Sequence, residues 1–189
     1  MENIKIHKGD VLVSSPLLTD PNFNRSVVLI LDRDTDRGYI GLILNRQLDL
    51  TIQELLDIKN SKIETPVFNG GPVDLQRLFW LHTMGPDIIK GASEVMPGIY
   101  IGGNFEDLQT YVESSGKSEG HFRLYLGYSG WTKGQLEKEI EMGAWQVNGL
   151  VDPAVIMSGE GETFWRNNVK ALGPSFRHWL MLPTDPSLN

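Results

Sequence analysis

The sequence predicts a single α+β domain built on a mixed, largely antiparallel β-sheet surrounded by helices. Three observations carry this prediction. Two β-branched apolar runs, SVVLILD (residues 26–32) and GYIGLILN (38–45), are joined by a short charged stretch, the pattern of a hairpin of buried strands. Strand-like and helix-like segments follow one another in irregular order, which argues against a doubly wound parallel sheet. No linker divides the 189 residues into balanced halves, and that length suits one domain with a full core.

The elements follow in order. DVLVSS (10–15) reads as a strand, and SPLLTDPNFNR (15–25) as a loop punctuated by two prolines and two asparagines. After the predicted hairpin, LTIQELLDI (50–58) switches to helical spacing. Thr51 and Glu54 form a capping box there, with Leu50 and Leu55 as its hydrophobic staple. PVFNGGPV (66–73) is a short strand running into a Gly-Gly-Pro turn, RLFWLHT (77–83) is a strand, and GIYIGG (98–103) is a short strand. NFEDLQTYVES begins a helix with Asn104 as its N-cap. An apolar strand over 121–128 is expected to end in a Gly-Tyr-Ser-Gly turn, followed by a helix. AWQVNG (144–149) is a strand. Asp152-Pro153 is an N-cap with proline at the first helical position, and GETFWRNNVKALG is a last helix closed by Gly173. The tail, 183–189, reads as a loose or surface-draped arm.

Composition narrows the chemistry. Cysteine is absent, which removes disulfides, thiolate catalysis and Cys-ligated metals. The four histidines show no zinc spacing, so no metal or other cofactor is expected. Carboxylate sites for magnesium remain open, because their ligands can be distant in sequence. A net charge of −7 with dispersed Lys and Arg makes nucleic acid a poor partner. No apolar run reaches the ~20 residues of a membrane span, and the first residues lack a signal core. The expectation is a cytoplasmic protein with no membrane association.

The stretch LGYSGWTKGQLEKEI (126–140) invites a catalytic reading. A nucleophile elbow needs G-x-S-x-G, because both glycines must let a strained turn pass its neighbours. Here Trp131 stands where the last glycine belongs. His178 and Asp152 lie downstream as possible base and orienting acid, which is a weak signal. A phosphate loop is absent too. Thr132 with Gln135 has capping-box spacing, flanked by Trp131 and Leu136, so the helix start supplies its own partners. Glu137 and Glu141 read as a solvated acidic face rather than a catalytic pair. His82 reads as a satisfied core-edge histidine.

The remaining polar residues cluster on loops. Arg25 offers a bidentate clamp for a carboxylate or phosphate, or a partner for Asp20 that pins the loop; the second reading is the simpler. Asn45 and Arg46 close a buried strand. Gly70 and Gly71 permit a positive φ or the close approach of a backbone or ligand. Asp20, Arg25, Asn45, Arg46, Gly70 and Gly71 are the candidate ligand-binding set. No catalytic residue is assigned.

Taken together, DPNFNRSVVLILD, GYIGLILNR, PVFNGGPV, LGYSGWTKGQLEKEI and the following AWQV resemble the AlgH/YqgE family of uncharacterised bacterial proteins. The resemblance runs from about Gly9 to Val147. It covers Asp20, Pro21, Phe23, Arg25 and Ser26, then Gly41, Asn45 and Arg46, then Gly70, Gly71 and Pro72. Gly127, Tyr128, Gly130, Trp131, Gln135, Leu136 and Glu137 complete it. In similar sequences alanine often stands at the position of Ser129, which weighs against a nucleophile. The closing region departs from the shorter ending of the family, so the C-terminal arm inherits no role. The resemblance implies a compact α+β fold with a partly barrel-like sheet and no established activity. It also brings a transcriptional-regulator label carried by some relatives.

The leading expectation is a non-enzymatic protein that binds a small molecule or a protein partner. The alternatives are a hydrolase using Ser129 or a carboxylate-bound metal, and a transcriptional regulator.

Overall fold

The two apolar runs pair as expected. In the computed structural model, which describes residues 5–34, 36, 38–55, 65–115, 121–149 and 151–183, strand β2 (Val27–Asp34) lies antiparallel to β3 (Gly38–Ile43). β1 (Val11–Ser14) pairs with the other edge of β2, and β10 (Trp145–Asn148) lies outside β1. Residues 27–31 are all buried, and so are Val11, Leu12 and Val13, because this part of the sheet is covered on both faces.

β3 passes the sheet on to β9 (Phe122–Thr132), an 11-residue strand. The first half of β9 pairs parallel with β5 (Pro66–Asn69) on one edge and antiparallel with β6 (Val73–His82) on the other. Its second half pairs with β3. β6 continues to β8 (Ile99–Ile101) and β7 (Ser93–Met96), and β4 (Gln47–Thr51) pairs with β5. The result is one domain of α+β class, with a large and mainly antiparallel sheet. The sheet is not closed into a barrel.

Three apolar clusters fill the fold. The largest lies between the two wings of the sheet. It joins Val13, Leu29 and Leu42 to Phe68, Leu81 and Tyr125, and is sealed by α4 (Pro153–Ser158), α5 (Gly161–Ala171) and a 3₁₀ helix over Pro174–Met181. A second packs Leu12, Ile30, Trp131 and Trp145 beneath α3 (Gln135–Glu141). A third lies between β5, β9, α1 (Ile52–Leu55) and α2 (Phe105–Ser115). Each fully buried Leu, Ile or Val contributes roughly 1.5–3 kcal/mol, so these clusters drive the fold.

Several caps match their sequence signals. Asn104 Oδ1 accepts from the Glu106 and Asp107 amides, and Asp152 Oδ1 from that of Ala154. Glu54 Oε2 accepts from the Thr51 amide at 2.8 Å, completing that capping box. The predicted helix over 50–58 is described only as α1, and its last residues, 56–58, lie outside the described residues. So do residues 184–189 of the predicted arm. β4, β7 and the 3₁₀ helix carry no clear period and were not expected. Among the described residues no helix is long and apolar enough to cross a membrane.

The predicted turn over 127–130 is replaced by continuous strand. Gly127 takes a positive φ of 69° without ending β9, and the buried side of the strand shifts there from Leu124 and Phe122 to Ser129 and Trp131. Gln135 still reaches back to the Thr132 amide at 3.0 Å, but α3 starts after Gly134, whose φ of 76° turns the chain. Of the two acids read as a solvated face, Glu141 is exposed, but Glu137 is not simply solvated, and neither is Glu139 between them. Glu137 accepts from the Tyr39 hydroxyl at 2.8 Å, and Glu139 Oε2 accepts from the indoles of Trp131 and Trp145.

Candidate functional site

The loop before β2 is built by its own polar side chains. Asp20 Oδ1 accepts from the Asn22 amide at 2.8 Å, and the Asp20 carbonyl accepts from Phe23 and Asn24. Phe23 anchors the loop by packing against Trp131 and Trp145. The chain then turns at Arg25, one of two non-glycine residues described with positive φ, at 49°. An L residue in this region costs about 1–2 kcal/mol, so the surroundings must hold it there.

They do so through the side chain. The Arg25 residue is 6% exposed, with its guanidinium 4.7 Å from the Trp165 ring centroid. Nη1 donates to Glu162 Oε1 at 2.6 Å, and Nη2 donates to the Leu182 carbonyl at 2.6 Å. The expected Asp20–Arg25 pair is therefore replaced by a link from the β2 loop to α5 and the C-terminal 3₁₀ segment. Glu162 also meets Arg166 at 3.6 Å.

Asn45 is the second organiser. Its Oδ1 accepts from the Val27 amide at 2.9 Å, while Nδ2 donates to the carbonyls of Arg25 and Gly161. The Gly161 amide returns a bond to the Asn45 carbonyl at 2.9 Å. One buried amide thus joins the end of β3, the Arg25 turn and the start of α5, fully satisfied. Arg46, next in the chain, is half-buried. Its Nη2 donates to the Asn24 carbonyl at 2.7 Å, and its Nε is buried without a partner. Burial lowers the Arg46 guanidinium below its usual range, and the Asp20 carboxylate opposes that shift.

A cleft opens over these residues. Its larger part, about 540 Å³, is lined by Asn45, Arg46, Gln47, Leu48, Asn69, Glu160 and Gly161. A smaller part, about 200 Å³, is lined by Asn24, Arg25, Asn45, Arg46, Gly161 and Glu162. Three of the sequence candidates, Arg25, Asn45 and Arg46, converge here, whereas Asp20 does not line the cleft and acts on Arg46 only through its charge. Gln47, Leu48, Asn69, Glu160 and Gly161 were not expected. The Gly-Glu-Gly-Glu run at 159–162 announces only the start of the last helix, and nothing local to it says that the α5 start meets the end of β3.

Gly70 and Gly71 do different work. A Cβ on Gly70 would lie 2.3 Å from the Gly127 carbonyl oxygen, and one on Gly71 would lie 2.3 Å from the Tyr128 carbonyl carbon. The Gly70 amide donates to the Leu126 carbonyl, and its own carbonyl accepts from Ile43 and from Ser129 Oγ. Of the two possibilities in the sequence, close approach of another backbone is the one realised. The glycine pair fits between β3 and β9 where β9 changes partner, and Asn69 beside it lines the cleft instead. Ser129 is fully buried, with its hydroxyl committed to Gly70, so it is not presented to a substrate. His82 is also fully buried rather than at an edge. Its Nε2 donates to the Gly102 carbonyl at 3.0 Å, which leaves Nδ1 as an unpartnered acceptor. Among the described residues there is no group of three or more His, Asp or Glu placed to hold a metal ion.

The sequence model described as AlgH-like matches residues 11–177. A UPF0301 protein of Parabacteroides distasonis is 36% identical over 182 residues, covering 96% of this chain and 91% of that protein. Another, from Cytophaga hutchinsonii, is 34% identical and covers 96% and 98%. Among solved structures, that of the AlgH protein of Pseudomonas aeruginosa aligns with a TM-score of 0.68 at 25% identity, covering 97% of this chain and 98% of that one. A crystal structure of a protein from Corynebacterium diphtheriae shares the fold, with a TM-score of 0.75 at 20% identity over 95% and 94% of the two chains.

Proposed function

The chain belongs to the AlgH-like family, and on that premise we propose that it is a non-enzymatic protein that binds a small ligand in the cleft between the end of β3 and the start of α5. The observation that carries this reading is the convergence of two contiguous hollows on Asn45, Arg46 and Gly161. Ligand sites are concave and hold a few fixed polar groups. Here Asn45 is locked by three hydrogen bonds, and Arg46 and Asn69 line the same hollow. The walls come from rigid elements, two strands and a helix start, so the site is formed before a ligand arrives.

The enzymatic alternative has little to stand on. Ser129 is buried, and the cleft holds no nucleophile with an adjacent base among its lining residues. The regulator alternative draws no support from charge, since the net charge is −7 and Arg25 and Arg123 are buried.

A thermal-shift screen over metabolites, nucleotides and metal ions tests the reading. A ligand at about a hundred times its dissociation constant adds roughly 2.7 kcal/mol, or about 5–10 °C for a chain of this size. The shift should vanish in Gln47→Trp, which places a ring over the larger hollow from an exposed strand position. A hit whose shift survives Gln47→Trp binds elsewhere, and the cleft is then not the site.

A further inference from the structure

We propose that the cleft selects ligands with an anionic end group, a carboxylate or phosphate, and that Arg46 is the residue that receives it; this rests on the ligand-binding reading above. The charges around the cleft are not equivalent. Arg25 is neutralised by Glu162 at 2.6 Å and anchored to the Leu182 carbonyl. Arg46 has no carboxylate within ion-pair distance among the described residues, and the acid that influences it, Asp20, acts only at longer range. One of its five N–H groups is used, by the Asn24 carbonyl. Its Nε–H is shielded from solvent and unpartnered, and a side chain so placed lines both parts of the cleft.

A half-buried guanidinium without a counter-charge is a poor arrangement for stability alone, because burial disfavours the charge and only the Asn24 carbonyl is in contact to offset it. An oxyanion that accepts from the free edge of Arg46 would remove that penalty with charge-assisted bonds. The wall beside it favours the same end of the ligand. α5 begins at Gly161 with no side-chain cap; the Gly161 amide is taken by the Asn45 carbonyl, and the Glu162 amide of the same turn offers a donor to an anion. Glu160 also lines the larger hollow and sets the other half of the selectivity. A ligand with uniform negative charge would meet this carboxylate, so the remainder of the molecule must present hydrogen-bond donors or a positive group toward it.

The test uses the full chain, labelled with nitrogen-15, at low ionic strength. Inorganic phosphate and acetate are titrated in turn, with chloride at matched ionic strength as the control, while the arginine Nε–H and backbone amide signals are followed. The expected result is a saturable shift of the Arg46 Nε–H and of the Glu162 amide with at least one oxyanion and not with chloride. The stronger of the two identifies the end group. Arg46→Gln should weaken the response about tenfold or more. Glu160→Gln keeps Arg46 and removes the opposing charge, so it should tighten the same response about threefold, an outcome that misfolding cannot imitate. Shifts that match chloride, or that persist in Arg46→Gln and do not tighten in Glu160→Gln, overturn the proposal. If a neutral compound from the metabolite screen moves the Leu48 and Asn69 amides while no oxyanion moves Arg46, the cleft binds ligands and only the anionic reading falls. If no compound moves any lining residue, both fall.

Discussion

At the scale of single residues, the structure separates side chains that bind from side chains that hold. Asn45 belonged to the candidate set on sequence grounds because it ends a buried strand. Its three hydrogen bonds lead to residues 20, 18 and 116 positions away, and no local pattern reveals them. Arg25 stood out as a polar residue on a loop, but its partner lies 137 positions on. His82 shows the opposite limit. The sequence marks it as a histidine at the end of an apolar strand, and burial makes it a pH-sensitive weak point. Its Nε2–H is bound to Gly102, Nδ1 faces no donor, and burial holds its pKa below the ordinary 6.5. The unfolded chain therefore takes up this proton at a higher pH than the folded protein does. The stability linked to His82 is complete above about pH 6.5 and is lost as the pH falls from there through the folded-state value. Urea unfolding between pH 7.5 and 5 should show a steeper fall for the wild type than for His82→Phe, in which Trp80 still donates to the Gly102 carbonyl. Parallel profiles would refute this assignment.

At the scale of elements, strands with strong β-branched runs were legible and short strands with exposed faces were not. β4 is exposed or half-buried throughout, so it has no apolar period to read. β9 was cut short because Gly-Tyr-Ser-Gly has turn chemistry, yet Gly127 accommodates a positive φ within the strand. The glycine pair that feeds β6 makes the element-level prediction. Gly71 and Gly134 both have positive φ, 147° and 76°. A Cβ on Gly134 meets nothing within 4 Å, whereas one on Gly71 meets the Tyr128 backbone at 2.3 Å. Gly134→Ala should cost about 1–2 kcal/mol, the backbone penalty alone. Gly71→Ala adds a clash between two backbones that cannot both relax, so about 3 kcal/mol or more is expected. Chemical denaturation of the two variants measures the difference, and equal costs would show that the β5–β9 contact is looser than described.

At the scale of the whole molecule, the class was legible because the hairpin and the irregular order of elements already exclude a parallel architecture. The partner of each strand was not, since β9 takes β5, β6 and β3 along one chain segment. The cleft was missed as a shape for the same reason: its walls meet only after residues 45 and 161 have been brought together. The sharing of β9 sets the order of opening. Amides of residues 124–126 lie between neighbours on both edges, and residues 73–77 have exposed side chains at the border of the sheet. Hydrogen exchange should therefore proceed through global unfolding at 124–126 and through local opening at 73–77. Protection at 124–126 no greater than at 73–77 would mean that the wings separate independently.

The path of the chain also constrains how the protein is made. β1, β2 and β3 emerge first, within 43 residues, but the strands that flank them, β9 and β10, begin at residues 122 and 145. A ribosome adding about 5–20 residues per second would leave this sticky three-stranded ribbon without its edges for several seconds or longer. During that time both of its faces and both of its borders are open to other nascent chains. Overproduction is therefore expected to lose incomplete chains to aggregation before finished ones, which comparing nascent and full-length chains in the insoluble fraction would measure.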